Sequence, residues 1–158
     1  MDLYTLFAAI RDAVAQDSEL SAWAADQFGK IHTVFGGFAG ERLPSMDDDA
    51  PFVVLGDPAD SRGMESRTIE YEISGWVGLT SGDYREDCLD NVVEPDGIEQ
   101  IADALTLVRN AIAGACTGNL ALVGFDTAAD TMGSGSEVHG HFAARITEKL
   151  VIGQNPLT

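Results

Sequence analysis

The clearest rhythm in the chain is in RTIEYEISGWVGL, where Ile69, Tyr71, Ile73 and Val77 fall on one side and Glu70, Glu72, Ser74 and Trp76 on the other. A period of two with one apolar face predicts a half-buried antiparallel strand. The run EVHGHFAARITEKLVI, Glu137 to Ile152, repeats the pattern near the end of the chain. There Val138, Phe142, Ala144, Ile146 and Leu150 share a face, with His139 and His141 opposite, and the run reads as the last and longest strand. Elsewhere the period changes to that of a helix. Leu3, Leu6, Phe7, Ile10 and Val14 form one stripe opened by Asp2 as N-cap. Ser18 offers a second N-cap before Leu20, Trp23, Ala24 and Phe28, with Gly29 as the closing glycine. Ile98, Ile101, Leu105, Val108 and Ile112 trace a long helix from about Pro95 to Ala113, ended by Gly114.

Shorter apolar runs fill the intervals. Ile31 to Phe35 stops at Gly36-Gly37, and Phe52 to Leu55 lies between Pro51 and Gly56-Asp57-Pro58; both read as short strands, as does Leu120 to Phe125. Residues 56–68 read as a long connection between strands, and Gly133-Ser134-Gly135-Ser136 as a turn. The stretch DYREDCLDNVVEPD, residues 83–96, has six acidic residues against one arginine and no clear period, which suits a loop. The sum is a single α+β domain over residues 1–158, an antiparallel or mixed sheet packed on two amphipathic helices. A chain of 158 residues can bury about two-thirds of the surface its unfolded form exposes, so it needs no staples.

Charge changes the picture more than composition does. Nine Lys+Arg against 26 Asp+Glu leave a net charge of −17, which argues against a surface built to neutralise phosphates. Cys88 and Cys116 match neither a disulfide framework nor a C-x-x-C motif and read as reduced structural thiols. The opening MDLYTLFAAIRDAVAQD lacks the basic start and continuous apolar core of a signal peptide, and no apolar run is long enough to span a bilayer. The expected place of synthesis is the cytoplasm.

Few residues invite chemistry. His139 and His141, two apart on a strand, point the same way with Glu137 and could share a metal in a small metal-dependent enzyme. Two histidines and a common acid are an incomplete ligand set, and the alternation favours two side chains on a strand face. His32 reads as a packed or edge histidine. Asp47-Asp48-Asp49 lacks calcium-loop spacing and reads as a solvated loop, and the glycine-serine run precedes a strand rather than a helix that could hold a phosphate. No hydrolase elbow, H-E-x-x-H, Walker A or dinucleotide fingerprint is present. No catalytic residue, metal or cofactor is expected.

Other residues point to surfaces. Arg62, Met64 and Arg67 sit in the 56–68 connection and suit partner contact, the alternative being a plain connector. Trp76, on the polar side of its strand, must be covered by a helix or by a neighbouring subunit; the enrichment of aromatics in interface cores favours the neighbour. His139 and His141 belong to the same candidate interface.

Six stretches in their order give the chain a resemblance to the tail terminator, or tail completion, proteins of long-tailed bacteriophages and related particles. They are LFAAIRDAVAQDSELSAWAADQFG with its break between helices, APFVVLGD, TIEYEISGWVG, GIEQIADALTLVRNAI, NLALVGFD and HGHFAARITEKLVI. The resemblance rests on pattern and order and carries over no individual functional residue. It implies a non-enzymatic ring, a homo-hexamer, that sits on the head-proximal end of the tail tube. Such a ring ends tube polymerisation, meets the tail tube protein on one side and the neck or connector stopper on the other, and resides in the virion at the tail–neck junction. DNA would pass through its lumen without specific binding, which an acidic lining favours. A neck stopper or head-completion protein is the nearest alternative. No membrane partner is implied.

Overall fold

The computed structural model describes residues 1–37, 42–63, 67–82, 84–85, 92, 94–130 and 136–151. The first helix, α1 (Leu3–Gln16), is capped by Asp2, whose carboxylate accepts from the Thr5 amide at 2.9 Å. Its buried stripe is Leu6, Phe7, Ile10 and Val14, as the spacing requires. α2 (Ser18–Phe28) follows, and its cap is Asp17 rather than Ser18: the Asp17 carboxylate takes the Leu20 amide at 2.7 Å. A carboxylate at the cap also meets the positive end of the helix dipole, which a serine hydroxyl does less well. Gly29 closes α2 in the left-handed region at φ +72°.

The remaining elements are β1 (Thr33–Gly36), a single helical turn α3 (Met46–Asp49), β2 (Phe52–Arg62), β3 (Thr68–Thr80), β4 (Tyr84–Arg85), β5 (Glu94–Pro95), α4 (Asp96–Ala115), β6 (Leu120–Asp130) and β7 (Glu137–Lys149). Five strands make one sheet in the order β1-β2-β3-β7-β6, and β4 pairs with β5 apart from it. β1 runs parallel to β2 and the other neighbours are antiparallel, so the sheet is mixed. The two strands with the cleanest alternation are adjacent and zip over their whole length, from Thr68↔Lys149 to Thr80↔Glu137. With both registers in phase, Ile69, Tyr71, Ile73, Val77 and Leu79 join Val138, Phe142, Ala144 and Ile146 on one buried face. α1 covers the β1–β2 side of that face and α4 the β7–β6 side. Helix α4 comes close because residue 140 has no side chain: a Cβ there would lie 2.6 Å from Ile101 Cγ1. The Phe142 ring likewise fills the place where a Cβ of Gly75 would stand.

Several boundaries differ from those the sequence suggests. β2 does not end at Leu55; it passes through Gly56-Asp57-Pro58 as a bulge and resumes pairing at Ala59, so much of the 56–68 connection is strand. Asp57 takes φ +47°, and Pro58 is tolerated because the bulge leaves its missing N–H outside the ladder. Gly114 lies inside α4, which ends at Ala115. Asp47 to Asp49 form helix α3 rather than a solvated loop, and Asp49 is buried. β6 runs on to Asp130.

Behind the sheet a smaller cluster, Ala50, Phe52 and Val54 with Phe35, Met46 and Trp76, covers one corner of the second face. Asp49 holds that corner together. Its carboxylate takes both Arg42 nitrogens, at 2.6 and 2.7 Å, and the Ser45 amide at 2.8 Å. The Arg42 hydrogen bonds, with that amide, hold the Asp49 carboxyl down to about 2. The Arg42 guanidinium also lies 5.2 Å from the Phe35 ring centroid.

Candidate assembly surface

Residues singled out from the sequence occupy two distant places. Arg62 ends β2 opposite Ile69, and Arg67 stands just before β3; both are exposed, and the Arg67 carbonyl accepts from the Leu150 amide at 2.8 Å. Met64 lies outside the described residues, as do Cys88, most of the acidic 83–96 stretch and all of the glycine-serine turn except Ser136. Trp76 is seven residues along β3 from Ile69, roughly 23 Å at strand rise, so the arginines and the tryptophan share no patch.

Trp76, His139 and His141 do form one patch. In the β3–β7 register Trp76 faces His141, and the indole lies 5.3 Å from the His139 ring and 5.0 Å, edge-on, from Phe52. The tryptophan is therefore half-buried against its own chain. His139 Nε2 stands 3.8 Å from a Glu137 carboxylate oxygen, beyond hydrogen-bond range. Among the described residues no group of three or more His, Cys, Asp or Glu is placed to hold a metal. His32, on the helix side, is buried with Nε2 2.8 Å from the Val14 carbonyl, and burial pushes its pKa down. It is a packed histidine. Cys116 is a free, half-buried thiol whose pKa burial raises.

A polar knot ties the start of α1 to the end of β7. The Tyr71 hydroxyl, 2.7 Å from both the Met1 carbonyl and a Glu148 oxygen, bridges the two, while the Met1 amino group lies 3.0 Å from Glu148. Burial first, and Glu148 second, push the Tyr71 hydroxyl well up. Burial acts to raise the Glu148 carboxyl, but Tyr71 and the amino group outweigh it and hold it below its ordinary value. Every acid and base here is engaged in holding two elements together.

The surface that sequence reasoning missed is at the other end of the sheet. Among the described residues β6 pairs only with β7, which leaves its outer edge open over eleven residues. The register skips between Leu122 and Gly124, and this irregularity leaves Val123 61% exposed. Between β6 and α4 runs a groove of about 730 Å³, lined by Ile98, Ile101, Leu105, Leu122, Val123 and Phe125 among others. Phe125 stacks on Phe142 with ring centroids 5.3 Å apart and closes its floor. Arg109 stands exposed at the groove and makes no ion pair among the described residues. A signal for this surface was present: Leu120 to Phe125 has no polar phase, so a strand of that composition needs cover on both faces.

The chain matches no family model and no curated protein. Among solved structures it is similar to a chain of one described as "Virion of native gene transfer agent (GTA) particle", at 15% identity over 90% of this chain and 93% of that one, with a TM-score of 0.48.

Proposed function

We propose that this protein is a structural subunit of a phage-like particle, a tail terminator that forms a ring at the head-proximal end of the tail tube. The observation that carries the assembly part is the β6 edge, unpaired among the described residues, beside a groove lined mainly by apolar side chains, in a chain of net charge −17. Long exposed edges beside apolar surface are liabilities that a soluble monomer normally blunts, so their presence supports a partner. The terminator role is supported by the six stretches that carry the resemblance, each of which forms the element it calls for: a broken helix pair, a strand after Pro51, the long β3, α4, β6 and the terminal β7. A hexameric state, contacts with tube and stopper proteins, and residence at the tail–neck junction belong to the same reading. The net charge of −17 supports a ring through which DNA slides without adhering.

Deleting the gene in a producing cell and imaging the particles by negative-stain electron microscopy tests the reading. Tubes of uncontrolled length and heads lacking tails are the expected result. Particles with normal, attached tails would overturn it.

A further inference from the structure

The two ends of the sheet are unlike. At the β6 end the surface is concave and lined mainly by apolar side chains, with Arg109 among the lining as a cation without an ion pair among the described residues. At the β1 end two large apolar side chains project: Ile31, just before β1, is 65% exposed, and Leu43, between β1 and β2, is 59% exposed. Leu43 is followed by the exposed carboxylates of Asp47 and Asp48 on α3, while Lys30 precedes Ile31. Asp126 on β6 is engaged by Arg145 at 3.1 Å, so the charge match between the two ends rests on Arg109 at the groove and on Asp47 and Asp48 at the corner.

We propose that the α4–β6 groove receives the β1-end corner of a second copy of this chain, with Leu43 and Ile31 as the apolar plugs and Asp47 or Asp48 meeting Arg109. This names the contact surface of the ring subunit and rests on that reading. Two copies of a chain at −17 repel, so they can meet only where charge is sparse or compensated. The groove and the corner satisfy that condition together; two grooves face to face would bring two Arg109 side chains into one contact. Because plug and groove lie at opposite ends of one sheet, a bound copy leaves its own groove free for the next. The contact is therefore heterologous, and a closing rotation makes a ring.

Sedimentation velocity and native mass spectrometry of the full chain, across a concentration series, test the contact. Wild type is expected to associate with rising concentration. Val123→Asp, in the groove, and the double variant Ile31→Asp, Leu43→Asp, at the corner, alter exposed positions and are expected to keep the wild-type circular dichroism and melting. Each is expected to associate at least about tenfold more weakly alone. Mixed one to one, they should form a heterodimer and nothing larger, since one intact groove and one intact corner remain. Arg109→Glu should weaken association, and the further changes Asp47→Arg, Asp48→Arg should restore it. Variants that assemble like wild type, or a mixture that stays monomeric, overturn this contact and leave the ring reading standing. A wild type that is monomeric at every concentration overturns this contact and leaves the ring reading to the gene-deletion test.

Discussion

The two faces of the β3–β7 pair are built from the same strands with the same alternation, yet they do opposite things. On the helix side Ile73, Ala144 and Ile146 have no exposed surface, and Phe142 fills the space above Gly75. On the other side Glu70, Glu72 and His141 are exposed, and among the described residues the packed part is the corner around Phe52 and Trp76. Stability is concentrated on one face because apolar burial scales with area removed from water, and α1 and α4 supply that cover on one side only. The second face and the β6 edge are left free to vary or to meet a neighbour.

The largest effect that sharpens this contrast is expected for Phe142→Ala, which removes a buried ring packed on Phe125 and opens a cavity beneath α4. A loss of about 3–5 kcal/mol in denaturant unfolding is expected. Gly140→Ala comes next. The new methyl meets Ile101 and Leu105, whose nearest carbons would lie 2.6 and 3.0 Å away, and a loss of about 1–3 kcal/mol is expected. A neutral result at either site would break the view that this face carries the fold.

Two titrations report on buried polar groups. The folded pKa of Asp49, about 2, lies below its ordinary value of 3.8, so the carboxylate contributes stability above about pH 4 that is lost as pH falls toward 2. Asp49→Asn should be less stable at neutral pH, and its deficit against wild type should shrink across that acid window in matched urea melts. His32 has the opposite chemistry with the same sign. Burial lowers its folded pKa below 6.5, so the unfolded chain binds the extra proton and stability falls as pH drops below 6.5. The wild-type loss between pH 7 and 5 should be partly absent in His32→Gln, measured as the change in unfolding midpoint. The smallest effect is expected for His141→Ala on the open face, within about 0.5 kcal/mol and unaltered by added zinc. A large shift in melting, or one that zinc produces and the substitution removes, would break the contrast from the other side.

Much of the fold was legible in the chain. The phase of residues 138–150 told which side of β7 is buried, and His139 and His141 stand on the other side, as that phase requires. Both amphipathic helices, the cap at Asp2 and the turn at Gly29 were legible too, because each depends on contacts within a few residues. Legibility failed where a local stop signal was overruled: Gly56-Asp57-Pro58 reads as a strand end, but pairing with β3 carries β2 through it as a bulge. It failed again at Asp49, whose burial depends on Arg42, seven residues away, and on the cluster around Phe52.

The sequence by itself determined the periods, and with them the elements and the face each one buries, because hydrophobic alternation is a local property of the chain. Only the tertiary structure decided which strands are neighbours. It placed β7 in the interior, paired on both sides, and β6 at the rim, its outer edge unpaired among the described residues. Strand order is settled by long-range pairing and loop closure, whose free energies are not written in any short stretch, and for that reason the groove beside Val123 became visible only in three dimensions.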